Sequence, residues 1–199
     1  AKKRLLYHSW RLQTFEQDNI PAGLSPHKCK LAPDGSAIDF AYDKIPDDIM
    51  FEYSNIFKIF QLKESIYEKI DLFSKKHFHK KTISVHMRTY NDKAGAKGKK
   101  TGVYSFELDK FIQVMSHYKE QYSDCNFFVC SDCDETIDKV KDIFGDCIIT
   151  FDSEYKTTEE DVIDLYLLSK NNIIIGTKSS TFTEVAWWLS GCEMGVVTL

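Results

Sequence analysis

The strongest constraint on this chain lies in its second half, where apolar runs of strand length alternate with amphipathic stretches of helix length. Ile83–Arg88 reads as a short strand and Ser105–Tyr122 as an amphipathic helix that opens on a Ser cap. Asn126–Ser131 follows as an apolar strand, Asp134–Phe144 as a helix ending at Gly145, and Cys147–Phe151 as a third strand. Glu159–Ser169 reads as a helix, Asn172–Thr177 as a strand, Ser180–Ser190 as a helix ending at Gly191, and Met194–Leu199 as a last strand. Strands that alternate with helices in this way must pair in parallel, because each crossover is too long for a hairpin.

Such an order predicts an α/β chain with helices on both faces of the sheet. Right-handed crossovers then leave a Rossmann-like doubly wound parallel sheet as the natural topology. The first part of the chain reads differently. All four prolines, Pro21, Pro26, Pro33 and Pro46, fall there, and periodicity is weak. Helical spacing begins near Tyr53 and runs to about His77 through Ile56, Ile59, Phe60, Ile66, Ile70 and Phe73. The expected division is an irregular segment over 1–52, a remnant of an amino-terminal domain, and a Rossmann-like domain over 53–199. The chain lacks an initiator Met and ends inside an apolar run, as expected of a piece of a longer protein truncated at the carboxyl end.

Composition removes several function classes. The 199 residues are 43% hydrophobic and 28% charged, which is globular and not disordered. A net charge of -4 argues against a general nucleic-acid binder. No apolar run reaches the roughly 18 residues of a membrane span, and no signal peptide is visible. Cys29, Cys125, Cys130, Cys133, Cys147 and Cys192 mostly sit in or beside apolar runs, the usage of a reducing compartment. Cys130 and Cys133 form a lone C-x-x-C. No second pair completes a zinc site, and a redox role for the two remains an alternative.

In open parallel sheets, ligands bind beyond the carboxyl ends of the strands, so the residues there are the candidates. Ser84, His86 and Arg88 share one face of the first strand by alternation. Ser131 and Asp132 end the second, and Gly176-Thr177-Lys178-Ser179-Ser180-Thr181 runs from a strand into a helix. Arg88 stands out because the chain holds 23 lysines but only three arginines, Arg4, Arg11 and Arg88. A guanidinium grips a phosphate through two parallel hydrogen bonds, which an ammonium cannot do. The competing reading pairs Arg88 with an acid such as Asp92 or Asp132. Ser179, Ser180 and Thr181 suit either helix capping or anion binding. Asp132 suits either a helix cap or a ribose or base contact, and His86 either the core or a ligand. The loop Asn91–Val103, with four lysines and three glycines, reads as a solvated loop or a lid over a phosphate ligand; it lacks P-loop spacing. Trp187 and Trp188 belong on a helix, and at least one of them is expected to pack into the core.

These segments, taken in order, resemble the GDP-fucose-dependent fucosyltransferases of the α-1,2-, α-1,6- and protein O-type. Ile83-Ser84-Val85-His86-Met87-Arg88 is similar to their His-x-Arg strand, and Phe127-Phe128-Val129-Cys130-Ser131-Asp132 to a strand ending in Ser/Thr-Asp. Asp164-Leu165-Tyr166-Leu167-Leu168-Ser169, Ile173-Ile174-Ile175-Gly176 and Ser179-Ser180-Thr181-Phe182-Thr183 are similar to the third signature. The resemblance implies a GT-B enzyme of which this chain supplies mainly the carboxyl-terminal, nucleotide-sugar-binding domain. It implies inverting transfer of fucose from GDP-fucose to a glycan or glycoprotein hydroxyl, with no cofactor and no obligatory metal. Arg88 would hold the β-phosphate, His86 and Asp132 would lie near the nucleoside with Asp132 reading guanine, and Ser179, Ser180 and Thr181 would line the diphosphate and fucose pocket. Asp164 matches a recurrent family acid. Two departures stand out. Arg88 is followed by Thr89 where many members have a second Arg, and the place of the acid proposed as base reads Ala96-Lys97. Asp92 and Glu107 remain as candidate bases, and a non-catalytic nucleotide-sugar-binding module remains the alternative to an enzyme. The Lys-, Ile- and Asn-rich composition suggests a microbial, cytoplasmic protein acting on a surface polysaccharide; a Golgi or endoplasmic-reticulum protein would need a membrane anchor outside this sequence.

Overall fold

The computed structural model describes residues 47–89, 106–151, 157–177 and 180–199. Helices α1 (Asp47–Lys58) and α2 (Glu64–His77) precede strand β1 (Thr82–Met87). Helix α3 (Leu108–Gln121), strand β2 (Asn126–Ser131) and helix α4 (Asp134–Phe144) follow. A 3-10 turn over Gly145–Cys147 leads into strand β3 (Ile148–Ile149). Helix α5 (Thr158–Leu168), strand β4 (Ile173–Gly176), helix α6 (Thr181–Leu189) and strand β5 (Gly195–Thr198) complete the order.

The five strands form one all-parallel sheet in the order β3-β2-β1-β4-β5. Both faces are covered, so the inner strands β1, β2 and β4 bury most of both sides, while the edge strands β3 and β5 stay partly exposed. On one face Phe128, Cys130 and Ile174 of the sheet pack with Ile66 and Ile70 of α2, Ile163, Leu167 and Leu168 of α5, and Ala186, Trp187 and Trp188 of α6. On the other, Ile83, Val85, Met87, Phe127, Val129 and Ile175 pack with Phe111 and Met115 of α3 and Val140 of α4. The α/β doubly wound parallel sheet expected from the alternation is therefore the observed one. Both tryptophans belong to the core: Trp187 Nε1 donates to the Met194 carbonyl at 3.2 Å, and Trp188 Nε1 to Glu184 at 3.1 Å.

Three local differences have simple causes. The first of the two helices in the Tyr53–His77 region begins earlier than the apolar spacing implies, at Asp47, directly after Pro46 in the sequence. The third strand is only two residues long, where Cys147–Phe151 was expected. Gly145 closes α4 at a φ of 54°, the backbone tightens into a 3-10 turn through Cys147, and β3 pairs with β2 only at Phe127↔Ile148 and Phe128↔Ile149. Helix α3 begins at Leu108, with Glu107 at its cap position, and the expected Ser105 cap lies outside the described residues. Most of the irregular 1–52 segment and the Asn91–Val103 loop lie outside them too.

Beside β1 the strand order turns: β2 and β3 extend to one side, β4 and β5 to the other. The chain crosses over the sheet in opposite directions from this point, and a crevice opens at its carboxyl edge.

Candidate functional site at the carboxyl edge of β1

The register decides which side chains meet. His86 stands beside Cys130 of β2 and Gly176 of β4, and Met87 beside Ser131. One step further, Arg88 must therefore fall next to Asp132. It does: Arg88 Nη1 lies 2.9 Å from Asp132 Oδ2, with the Arg side chain 34% exposed and the Asp 13%. The other carboxylate oxygen, Oδ1, accepts the Thr89 backbone N–H at 2.7 Å. Asp132 is thus not the cap of α4; Cys133 holds that position, and its N–H donates to Ser131 Oγ at 3.2 Å.

Side chains from both neighbours fix the end of β1. Ser131 Oγ donates to the Met87 carbonyl at 2.8 Å. From β4, Thr177 Oγ1 accepts the Arg88 N–H at 2.8 Å, and the Thr177 N–H donates to the His86 carbonyl at 3.1 Å. Backbone groups just beyond a strand end have lost their ladder partners, and these hydroxyls and this carboxylate replace them.

Ser84 and His86 put polar atoms into a face that is otherwise apolar, and each is paired. Ser84 Oγ donates to the Leu168 carbonyl at 2.7 Å and accepts from Asn171 Nδ2 at 3.0 Å. His86 Nδ1 lies 2.8 Å from Thr183 Oγ1, and its ring stacks on Phe182 with centroids 4.8 Å apart. Burial lowers the His86 pKa to about 4, against the pull of Asp132 and with the push of Arg88, so the imidazole is neutral at physiological pH. Thr183 itself can reach His86 only because residue 176 is glycine: a Cβ there would overlap the Thr183 side chain.

Helix α6 points its amino terminus at the same crevice. Ser180 takes the N-cap conformation, yet its hydroxyl makes no capping hydrogen bond. The first N–H groups of a helix have no partner within it, and the helix dipole adds positive potential there. Asp164 of α5 borders the Cys130 thiol, whose pKa is raised well above its usual value by burial first and by Asp164 second.

Together His86, Arg88, Asp132, Asp164, Ser180 and Thr181 line one cavity of about 330 Å³, with Cys130, Ser131, Asp161 and Phe182. Six of the residues singled out in the sequence thus come together. Ser179 and Asp92 lie outside the described residues. Glu107 is elsewhere: it sits at the start of α3, half-exposed and 2.9 Å from Lys110, and it does not line the cavity. A base there is not supported. The redox alternative also loses ground, because the Cys130 thiol is buried with a raised pKa, the opposite of a reactive one. No group of His, Cys, Asp and Glu among the described residues is arranged to hold a metal ion. Thr177 and Thr183 stand within the segments named in the sequence but were given no role of their own, and Asp161 was not singled out. Thr183 was the most accessible of these, since a glycine ending a buried strand signals a close neighbour.

No protein-family signature and no curated sequence matches the chain. Solved structures do. POFUT1 in its apo form superposes with a TM-score of 0.54 at 15% identity, over 74% of this chain and 49% of its own. POFUT1 in complex with GDP-fucose gives 0.52 at 16% identity over the same shares. This is a fucosyltransferase fold. NodZ, an alpha-1,6-fucosyltransferase, matches at 20% identity over 74% of this chain and 61% of its own, with a lower TM-score of 0.47. The chain spans about half the length of the POFUT1 chains it matches. No described helix is long and apolar enough to cross a membrane.

Proposed function

We propose that the cavity binds GDP-fucose and that the chain is the donor-binding half of an inverting fucosyltransferase of GT-B type. The observation that carries the reading is the convergence of Arg88 and the α6 amino terminus on one crevice at the turn of the strand order. A diphosphate needs fixed positive potential, and these two features supply it in one cavity. POFUT1, which shares the fold, has been solved with GDP and with GDP-fucose, which supports the choice of nucleotide.

The chemistry follows from where charge develops. As the bond from the anomeric carbon to the leaving oxygen breaks, the electron pair moves onto the β-phosphate of GDP. Donors already in place meet that charge without reorganising, which contributes several kcal/mol to the transition state. Arg88 and the α6 N–H groups hold that role here, so the reading requires no metal. An acceptor hydroxyl on a glycan or glycoprotein attacks from the opposite face of the sugar and gives up its proton. Neutral His86 contributes a polar contact to the donor and not a base, because its pKa of about 4 makes it too weak.

A second reading is a non-catalytic nucleotide-sugar-binding module. It is favoured by one observation: of the two acids expected as base, Glu107 is paired with Lys110 away from the cavity. One experiment separates the two. The protein is incubated with GDP-fucose and glycan acceptors while GDP release and fucosylated product are followed. Transfer or slow donor hydrolysis supports the enzyme, and tight GDP binding with neither supports the module. No measurable GDP binding by calorimetry refutes both.

A further inference from the structure

Both oxygens of the Asp132 carboxylate are engaged. Oδ2 holds Arg88 at 2.9 Å, Oδ1 holds the Thr89 N–H at 2.7 Å, and the side chain is 13% exposed. A carboxylate that reads a guanine edge must offer its oxygens to N–H groups of the base. Here each oxygen already accepts from a residue just past β1, Oδ2 from Arg88 and Oδ1 from Thr89, and little of the side chain is left open to a base.

We infer that Asp132 is a positioning residue for Arg88 and takes no part in reading the nucleoside. The inference rests on the nucleotide-sugar reading and assigns one residue of that same site. A guanidinium carries five donors in a rigid plane, so an acid fixing its Nη1 end orients the rest of the fork. An Arg side chain otherwise spreads over many rotamers, and a bidentate grip on phosphate would have to freeze them on binding. Asp132 holds the rotamer before the ligand arrives. It also ties down the backbone N–H of the next residue, Thr89, while Thr177 ties down that of Arg88 itself. The guanidinium thus stands on a strand end clamped from β2 and from β4. Phosphate recognition, and not base recognition, depends on Asp132.

The test compares GDP with guanosine, which differ only in the diphosphate. Calorimetry measures the first and NMR titration the weaker second, for wild type, Asp132→Asn and Asp132→Glu. Positioning predicts that Asp132→Asn leaves guanosine affinity unchanged while GDP affinity falls about ten-fold or more, so the GDP-to-guanosine ratio collapses. Asp132→Glu keeps the charge but displaces it by one methylene, and it reduces the ratio to a smaller degree. Were Asp132 a base reader, both ligands would weaken by the same factor. Were it only a structural residue, melting temperature would fall while the ratio held. Either result overturns the inference. Circular dichroism checks the fold of each variant; should Asp132→Asn not fold, the Glu variant carries the same comparison. A wild-type protein that binds GDP no better than guanosine would bring down the nucleotide-sugar reading itself, and this assignment with it.

Discussion

Replacing Gly176 by Ala tests the packing that holds the crevice together. The new methyl would fall against the Cγ2 and Oγ1 atoms of Thr183, a residue 1% exposed on α6. Neither side can give easily, since Gly176 lies in a parallel ladder between β1 and β5. Overpacking of this kind costs about 1–3 kcal/mol. Displacing Thr183 also breaks its 2.8 Å hydrogen bond to His86, and a buried imidazole nitrogen left without a partner costs about 1–3 kcal/mol more. The single variant should therefore lose about 2–6 kcal/mol by urea denaturation. Thr183→Ala should lose about 1–3 kcal/mol, because it removes the same hydrogen bond without the clash. The double variant is decisive. Ala at 183 removes both atoms that the methyl strikes, and the hydrogen bond can be lost only once, so the two costs should fall short of adding by about 1 kcal/mol or more. Strict additivity would refute the reasoning, because it would mean that residue 176 acts on stability by some route other than Thr183.

Other outcomes follow from the same geometry. His86 is neutral in the fold with a pKa of about 4, whereas an unfolded His takes up its proton near 6.5, so the unfolded state binds more protons between those values. Stability should fall as pH drops from about 6.5 toward 4, by up to about 3 kcal/mol from this residue, and His86→Gln should flatten that slope relative to wild type. Arg88→Lys should keep the fold and lose at least about ten-fold in GDP affinity by calorimetry, because an ammonium cannot reproduce the fork. Cys130 should resist alkylation by iodoacetamide in the native protein at neutral pH and react once the protein is unfolded, a contrast that mass spectrometry reads directly. Glu107→Gln, by contrast, should leave GDP binding unchanged, since its carboxylate faces Lys110 and not the cavity.

Much of the architecture was legible because it depends on period and length. Asn126–Ser131 and Asp134–Phe144 appear with the bounds that the apolar pattern and Gly145 imply, and the other strands and helices of the sheet region mostly shift by one or two residues. The exception, β3, depends on whether an edge strand continues to pair, which no local pattern records. The site was legible to the extent that carboxyl strand ends can be found by pattern: His86, Arg88, Asp132, Ser180 and Thr181 were all placed that way. Their partnerships were not. Whether Asp132 caps α4, reads a base or holds Arg88 is decided by the offset between β1 and β2, and a shift of one residue would have sent its carboxylate elsewhere. Thr183 was hidden for a similar reason, because its contact with His86 is made across the sheet and not along the chain.

The clamp on β1 also bears on how the protein reaches its folded state. The bonds that tie its end to the far half of the sheet span long stretches of chain: 89 residues from Arg88 to Thr177 and 97 from His86 to Thr183. Contacts so distant in sequence cost more loop-closure entropy than local ones and tend to form late. Pairing of β1 with β2, and of β2 with β3, can proceed while the chain through β3 is all that has been made. The crevice cannot exist until β4 and α6 have been synthesised and have docked. Nucleotide binding would then report completed folding of the whole sheet, and a ligand present in the cell would stabilise the last-formed half most.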